Sequence, residues 1–205
     1  MATPRDVQAV VLRRDIDALL SILFIGNQPV LRPSFSTETQ LWEFKSDCPR
    51  VQREYDNAWA HISKDVLAFH NKEGGLIIFG IDDRYQFCGA TTRLDSKLFN
   101  DKTRKYLGDK IWIDYYRTFI QEDQRYLGIA VIPGRGPVLE RFISDAPIMN
   151  ERRLFDQGDS AIREGDCSRI LTREEADQVA SEIHVPRIGQ LYSVHEPMYR
   201  ILNPD

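Results

Sequence analysis

Apolar positions recur along this chain with two periods, and the period separates helices from strands. Val7, Val10, Val11, Ile16, Leu19, Leu20 and Leu23 form a helical stripe, which predicts a helix over residues 5–24. Gly26 ends it, and Pro29 and Pro33 punctuate the loop that follows. Trp59, Ile62, Val66 and Phe69 repeat that spacing and predict a second helix over 57–71, with Asp56 or Asn57 as its cap and Gly74-Gly75 as its stop. Residues 76–81 are continuously apolar, the mark of a strand buried on both faces, with 87–90 as a hairpin partner. Residues 92–107 read as a charged helix. Alternation returns in 111–119 and 125–132, a β-hairpin turning at 121–124. Residues 133–137 form a tight loop, 154–155 and 161–163 short strands, and Thr172-Arg173-Glu174-Glu175 a capping box that opens a last helix over 172–183. The sum is α+β: one domain over 36–183, a mostly antiparallel sheet flanked by helices, preceded by a helix and loop over 1–35 and followed by an extension over 184–205.

A strand over 40–45 holds the most informative short stretch. Glu43 and Lys45 share one face, and Phe44 points to the other. Two readings fit. One is a solvated outer face with a weak ion pair. The other is half of a metal-dependent phosphodiesterase site, in which carboxylates hold a divalent ion and the lysine offsets developing charge. Asp82, at the end of the buried strand, offers a further carboxylate, although Asp82-Asp83 followed by Arg84 is also ordinary turn chemistry. Glu38 lies five residues before Glu43, an odd offset that joins it to Glu43 only if it sits in a bend or on another element.

Composition narrows the classes. A net charge of −4 excludes a wholly basic nucleic-acid coat and leaves room for a local basic groove. Lys97, Lys102, Arg104 and Lys105, then Arg135 and Arg141, then Arg152 and Arg153 are the local basic groups; each is either a phosphate contact or a solvated face. Three scattered cysteines, Cys48, Cys88 and Cys167, offer no zinc spacing and suit a reducing, cytoplasmic setting. The apolar run 18–25 is too short to span a bilayer, and Asp15 and Asp17 spoil it as a signal peptide. The 71–75 turn lacks the G-K-[ST] ending of a phosphate-binding loop. His61, His70, His184 and His195 have no ligand spacing, and His70 reads as a packed, hydrogen-bonded side chain.

Leu41-Trp42-Glu43-Phe44-Lys45, then Ala68 through Asp83, then Ser160-Ala161-Ile162-Arg163-Glu164-Gly165 before Leu171-Thr172, resemble the Schlafen-type AlbA-like domain over roughly residues 36–180. The resemblance implies a nucleic-acid-binding fold. By analogy with the endoribonucleases of that family, it also implies cleavage of structured RNA such as transfer RNA, within a defence system. It implies Glu38, Glu43 and Asp82 as holders of Mg2+ or Mn2+, with Asp83 as substitute for the third, and Lys45 as support for the transition state. Lys102, Arg104, Lys105, Arg152 and Arg153 would grip phosphates. His70 departs from the alanine usual there, and the zinc site of the vertebrate members has no counterpart. Those proteins pair two lobes, so a homodimer or a larger fused protein is expected here. The alternative is a non-catalytic module that binds nucleic acid or a protein.

Overall fold

The computed structural model describes residues 7, 9, 10, 13, 15–25, 30–35, 37–52, 55–119, 125–134 and 138–181. The 121–124 turn, Arg135, His184, His195 and the extension beyond 184 lie outside these residues. The centre is a four-stranded sheet in the order β1-β2-β4-β3, made of β1 (Trp42–Lys45), β2 (Gly74–Phe79), β3 (Asp114–Phe119) and β4 (Tyr126–Pro133). Only β1 and β2 run parallel, and α2 (Asp56–His70) makes the crossover that a parallel pair requires. Trp42, Phe44, Leu76 and Ile78 face the side that also packs α1 (Ile16–Leu23). Ile77 and Phe79 face the other side, against α2 and α3 (Ser96–Leu107). The sheet is therefore covered on both faces, and β2 is buried along its whole length, as its apolar run predicts.

Beyond the sheet, β5 (Ile148–Met149) pairs with β6 (Arg152–Arg153), and β7 (Ser160–Glu164) pairs with β8 (Cys167–Leu171). A last helix, α4, covers 173–181. Its capping box is formed as expected: the Thr172 amide donates to Glu175 Oε2 at 2.9 Å and the Glu175 amide to Thr172 Oγ1 at 3.4 Å. Among the described residues no helix is long and apolar enough to cross a membrane.

Several local expectations change. Asp15 is extended and caps α1 by accepting from the Ala18 amide at 3.0 Å, so the helix predicted over 5–24 is interrupted there. Tyr55, not Asp56 or Asn57, precedes α2, and no side chain caps it; Asp56 is turned instead to Lys105 Nζ at 2.8 Å. Residues 87–90 make two isolated bridges rather than a strand. Residues 154–155 are not a strand; there Phe155 stacks on Phe142 with ring centroids 3.6 Å apart.

Gly74 and Gly75 do more than stop a helix. Gly74 has φ +80°, and a Cβ there would meet the Ile132 carbonyl at 2.5 Å; a Cβ on Gly75 would meet the Phe69 ring at 2.5 Å. Together they let β2 slide under the end of α2 while pairing with β4. Asn71, which ends α2, ties this corner to the rest. Its Nδ2 donates to the Glu140 and Ala161 carbonyls and to Ser160 Oγ at 2.9–3.0 Å, and its Oδ1 accepts from the Glu140 amide at 2.8 Å. Replacing Asn71 by alanine strands these buried partners. The expected cost is about 2–3 kcal/mol, read as a lower urea midpoint with an unchanged slope.

Candidate functional site

β1 is an edge strand, and its backbone and side chains build the site. Trp42 and Phe44 go into the apolar core, so Glu43 and Lys45 turn toward α2. Glu43 is not solvated: it is only 6% exposed, whereas Lys45 on the same face is partly exposed. Glu38 lies in the bend before the strand. Its Oε1 accepts from the Phe44 amide at 2.9 Å, an N–H that points away from β2. Its odd offset is therefore resolved as a cap on the open edge rather than a place in the strand.

Arg163, from β7, closes over Glu43. It is 1% exposed. Its NH1 donates to Glu43 Oε2 at 2.6 Å and to Ser168 Oγ at 3.0 Å, and its Nε and NH2 donate to the Thr39 carbonyl at 3.2 and 3.0 Å. The guanidinium carbon sits 4.6 Å from the centre of the Phe69 ring. Glu43 Oε1 takes the Lys45 ammonium group. Lys45 also reaches Asp65 Oδ2 at 3.3 Å, and Lys64 reaches Asp65 Oδ1 at 3.2 Å. The Ser168 hydroxyl lies near enough to Asp65 to favour its charge.

The two carboxylates titrate in opposite directions. Burial and the neighbouring Asp65 raise the pKa of Glu43, against the pull of Lys45 and Arg163. Burial works against the charge of Asp65 too, but Lys45 and Lys64 outweigh it and hold Asp65 low. Burial likewise opposes the Lys45 charge, and Asp65 and Glu43 overcome it and raise its pKa. On acidification Glu43 is therefore the first of the pair to take a proton.

Asp82 is committed elsewhere. Its Oδ1 accepts from the Arg84 and Gln86 amides, both at 2.9 Å, which is the turn chemistry open to it from the sequence. Asp83 lies exposed in the same turn. The charges that act on Glu43 are Asp65, Lys45 and Arg163. Among the described residues no three His, Cys, Asp or Glu side chains are grouped to hold a metal ion. Both Glu43 oxygens already face cations. Glu38, Glu43 and Asp82, arranged this way, do not fit Mg2+ or Mn2+.

The other candidates are dispersed. Arg104 pairs with Asp101 and Asp109, Lys105 with Asp56, and Arg153 with Asp145 and Asp156, all on the surface. Lys102 is partly exposed on α3 and Arg152 exposed on β6. Arg141 is drawn to Asp177 at 2.6 Å. His70 is packed as expected, its Nδ1 2.8 Å from the Pro133 carbonyl oxygen.

Sequence reasoning missed Arg163, Asp65, Lys64 and His61. Asp65 had a signal: it lies three residues after Ile62 and four before Phe69, inside the apolar stripe of α2, where an ionised carboxylate requires a partner. Arg163 had one as well. It shares a strand face with Ala161, and Gly165-Asp166 is a two-residue hairpin turn that predicts β8.

Removal of Arg163 leaves Glu43 buried beside Asp65 with Lys45 as its remaining cation, one that Asp65 already shares with Lys64. Arg163→Met is expected to cost about 3–5 kcal/mol. Glu43→Leu with Arg163→Met should cost far less than the two single changes added together. Urea unfolding of the single and double variants measures this coupling.

The similarities to known proteins agree with this architecture. No curated protein sequence matches the chain. Its fold is similar to that in the crystal structure of the DIP2311 protein from Corynebacterium diphtheriae, with a TM-score of 0.51 at 13% identity. The match covers 84% of this chain and 33% of that one, so the chain spans about a third of that protein. The model of the family described as Schlafen, AlbA_2 matches residues 38–172, which include β1, α2, β2, Arg163 and Thr172. With two thirds of its length inside that match, this chain belongs to the Schlafen AlbA_2 family.

Proposed function

We propose that the chain is a nucleic-acid-binding module that holds RNA at the surface between β1 and α2 and does not cut it by a metal-dependent route. Family membership supports a nucleic-acid-related function. One observation carries the choice of surface. The Lys45 and Lys64 ammonium groups converge on opposite oxygens of Asp65, while Arg163 holds Glu43 beneath them. Three cations thus face two carboxylates. The lysine side chains are 32% and 19% exposed, so their charge is fixed in place yet reachable. A backbone phosphate meeting them finds donors already ordered, which lowers the entropic cost of binding. The RNA would be structured, such as transfer RNA, and a homodimer or a larger fused protein would supply a second wall.

The endoribonuclease reading keeps one observation in its favour: Glu38 bonds the amide of the residue next to Glu43, so both glutamates are anchored at β1. It would require Asp82 to leave its turn and Arg163 and Lys45 to release Glu43. Breaking a buried ion pair costs several kcal/mol, which favours the binding module.

The test is end-labelled transfer RNA with the purified chain. Affinity should fall steeply with salt, and Lys45→Gln with Lys64→Gln should weaken binding and reduce the slope of log K against log salt by about 1–2, the loss of one or two phosphate contacts. Cleavage is assayed in parallel with Mn2+, Mg2+ and EDTA, beside Glu43→Gln, and no metal-dependent product is expected. Metal-dependent cuts abolished in Glu43→Gln would establish the nuclease instead. Absence of RNA binding at low salt would remove both readings and leave a protein-interaction role.

A further inference from the structure

His61 stands one helical turn before Lys64 and Asp65. Those offsets, three and four residues, bring side chains together on one helix surface. It is an exposed residue in a helix whose neighbouring positions are mostly buried. Partial burial of its ring holds its pKa below 6.5, and Lys64 on its own helix and Lys45 on β1 act in the same direction, with Asp65 opposing them. The Ser168 hydroxyl, from β8, also favours the Asp65 charge. None of the carboxylates or basic groups singled out by sequence pattern includes this histidine.

We propose that Lys45, Lys64 and His61 form one metal-independent site for a phosphate group, in which His61 is the contact that protonation switches on. The inference rests on the nucleic-acid reading for its biological ligand, the backbone phosphate of RNA. The site itself is testable with inorganic phosphate alone.

The physics follows from charge. With the site empty, partial burial of the ring and then the two ammonium groups disfavour a third positive charge, so the imidazole is held below its ordinary pKa. An arriving phosphate screens that repulsion and adds attraction, which favours the imidazolium. Anion binding and proton uptake then reinforce one another, and by linkage each strengthens the other equally. Asp65 has the opposite role. It draws the lysines together and keeps the empty site from repelling its own parts, and no proton reaches it near neutral pH because the lysines hold its pKa low. The gain in affinity therefore appears as pH falls through the His61 transition and is absent above it.

The experiment is an NMR titration of the histidine ring protons of the whole chain, with and without inorganic phosphate, the His61 signal being assigned by its loss in His61→Asn. The expected result is a His61 midpoint that rises by about half a pH unit or more with phosphate, the size given by a new anion a few ångströms away at a surface site. Lys64→Gln should raise the midpoint without phosphate, because a repelling charge is gone. Affinity for a short labelled single-stranded RNA should then rise about threefold or more on going from pH 7.5 to 5.5, following the same linkage, and His61→Asn should flatten that rise. Circular dichroism checks that each variant is folded. A His61 midpoint unmoved by saturating phosphate overturns the inference, as does a pH dependence that survives His61→Asn. If the midpoint is unmoved while RNA binding still depends on Lys45 and Lys64, the binding module stands without the switch. If the midpoint moves with phosphate but RNA does not bind, the anion site stands and the RNA reading fails.

Discussion

The guanidinium of Arg163 is the point on which the domain turns. It carries five N–H donors and a permanent charge, and it is almost entirely removed from water. Such a group is tolerable only if surrounding acceptors take its donors and an anion takes its charge. Thr39, Ser168 and Glu43 do so, and the Phe69 ring faces the plane of the group. These partners come from the segment before β1, from β8, from β1 and from α2. One side chain therefore fixes the β7–β8 hairpin, the sheet edge and the crossover helix against one another. A lysine would not substitute, because a single ammonium group cannot reach the Thr39 carbonyl and Glu43 with the same fork geometry.

The same economy governs the edges of the sheet. An open edge is a template for unwanted pairing. At β1, Glu38 takes the Phe44 N–H and the Thr39 amide donates to the Trp42 carbonyl at 3.1 Å. At β3, Asn100 bonds both the amide and the carbonyl of Ile113, at 2.9 and 2.7 Å, and Ser96 takes the Tyr115 N–H at 2.8 Å. Side chains thus occupy backbone groups on both outer strands. A second lobe or a second copy would have to dock through side-chain surfaces, since continuation of the sheet would first require these caps to let go.

How much of this was legible in the sequence follows from the range of the interactions. Local signals carried well: the apolar run of β2, the stripe of α2, the alternation of β3 and the capping box of α4 all have near-neighbour causes, whereas β4, expected to alternate, is buried along nearly its whole length. The short pairs β5–β6 and β7–β8 carried less, being only two and five residues long. The site was half visible. Glu43 and Lys45 do share a face, and Glu38 does return to the strand. What buries Glu43 on that face is Arg163, 120 residues away in the chain. No periodicity reports a partner at that distance, although a carboxylate inside the apolar stripe of α2 announced that some cation had to come.

The carboxylates themselves show how one acidic motif can serve two chemistries. A pair of buried acids needs about two positive charges nearby to stay ionised. A divalent ion is one way to supply them. Arg163 and Lys45 are another, and they supply them through covalent attachment to the fold, with no equilibrium binding step. Once those side chains fill that role, the acids become counter-ions that order the lysines, and the positive charge left over faces outward at Lys45 and Lys64. On the reading proposed above, a motif that suits ion-assisted chemistry presents a fixed cationic surface, which would suit an anion from outside, such as a phosphate.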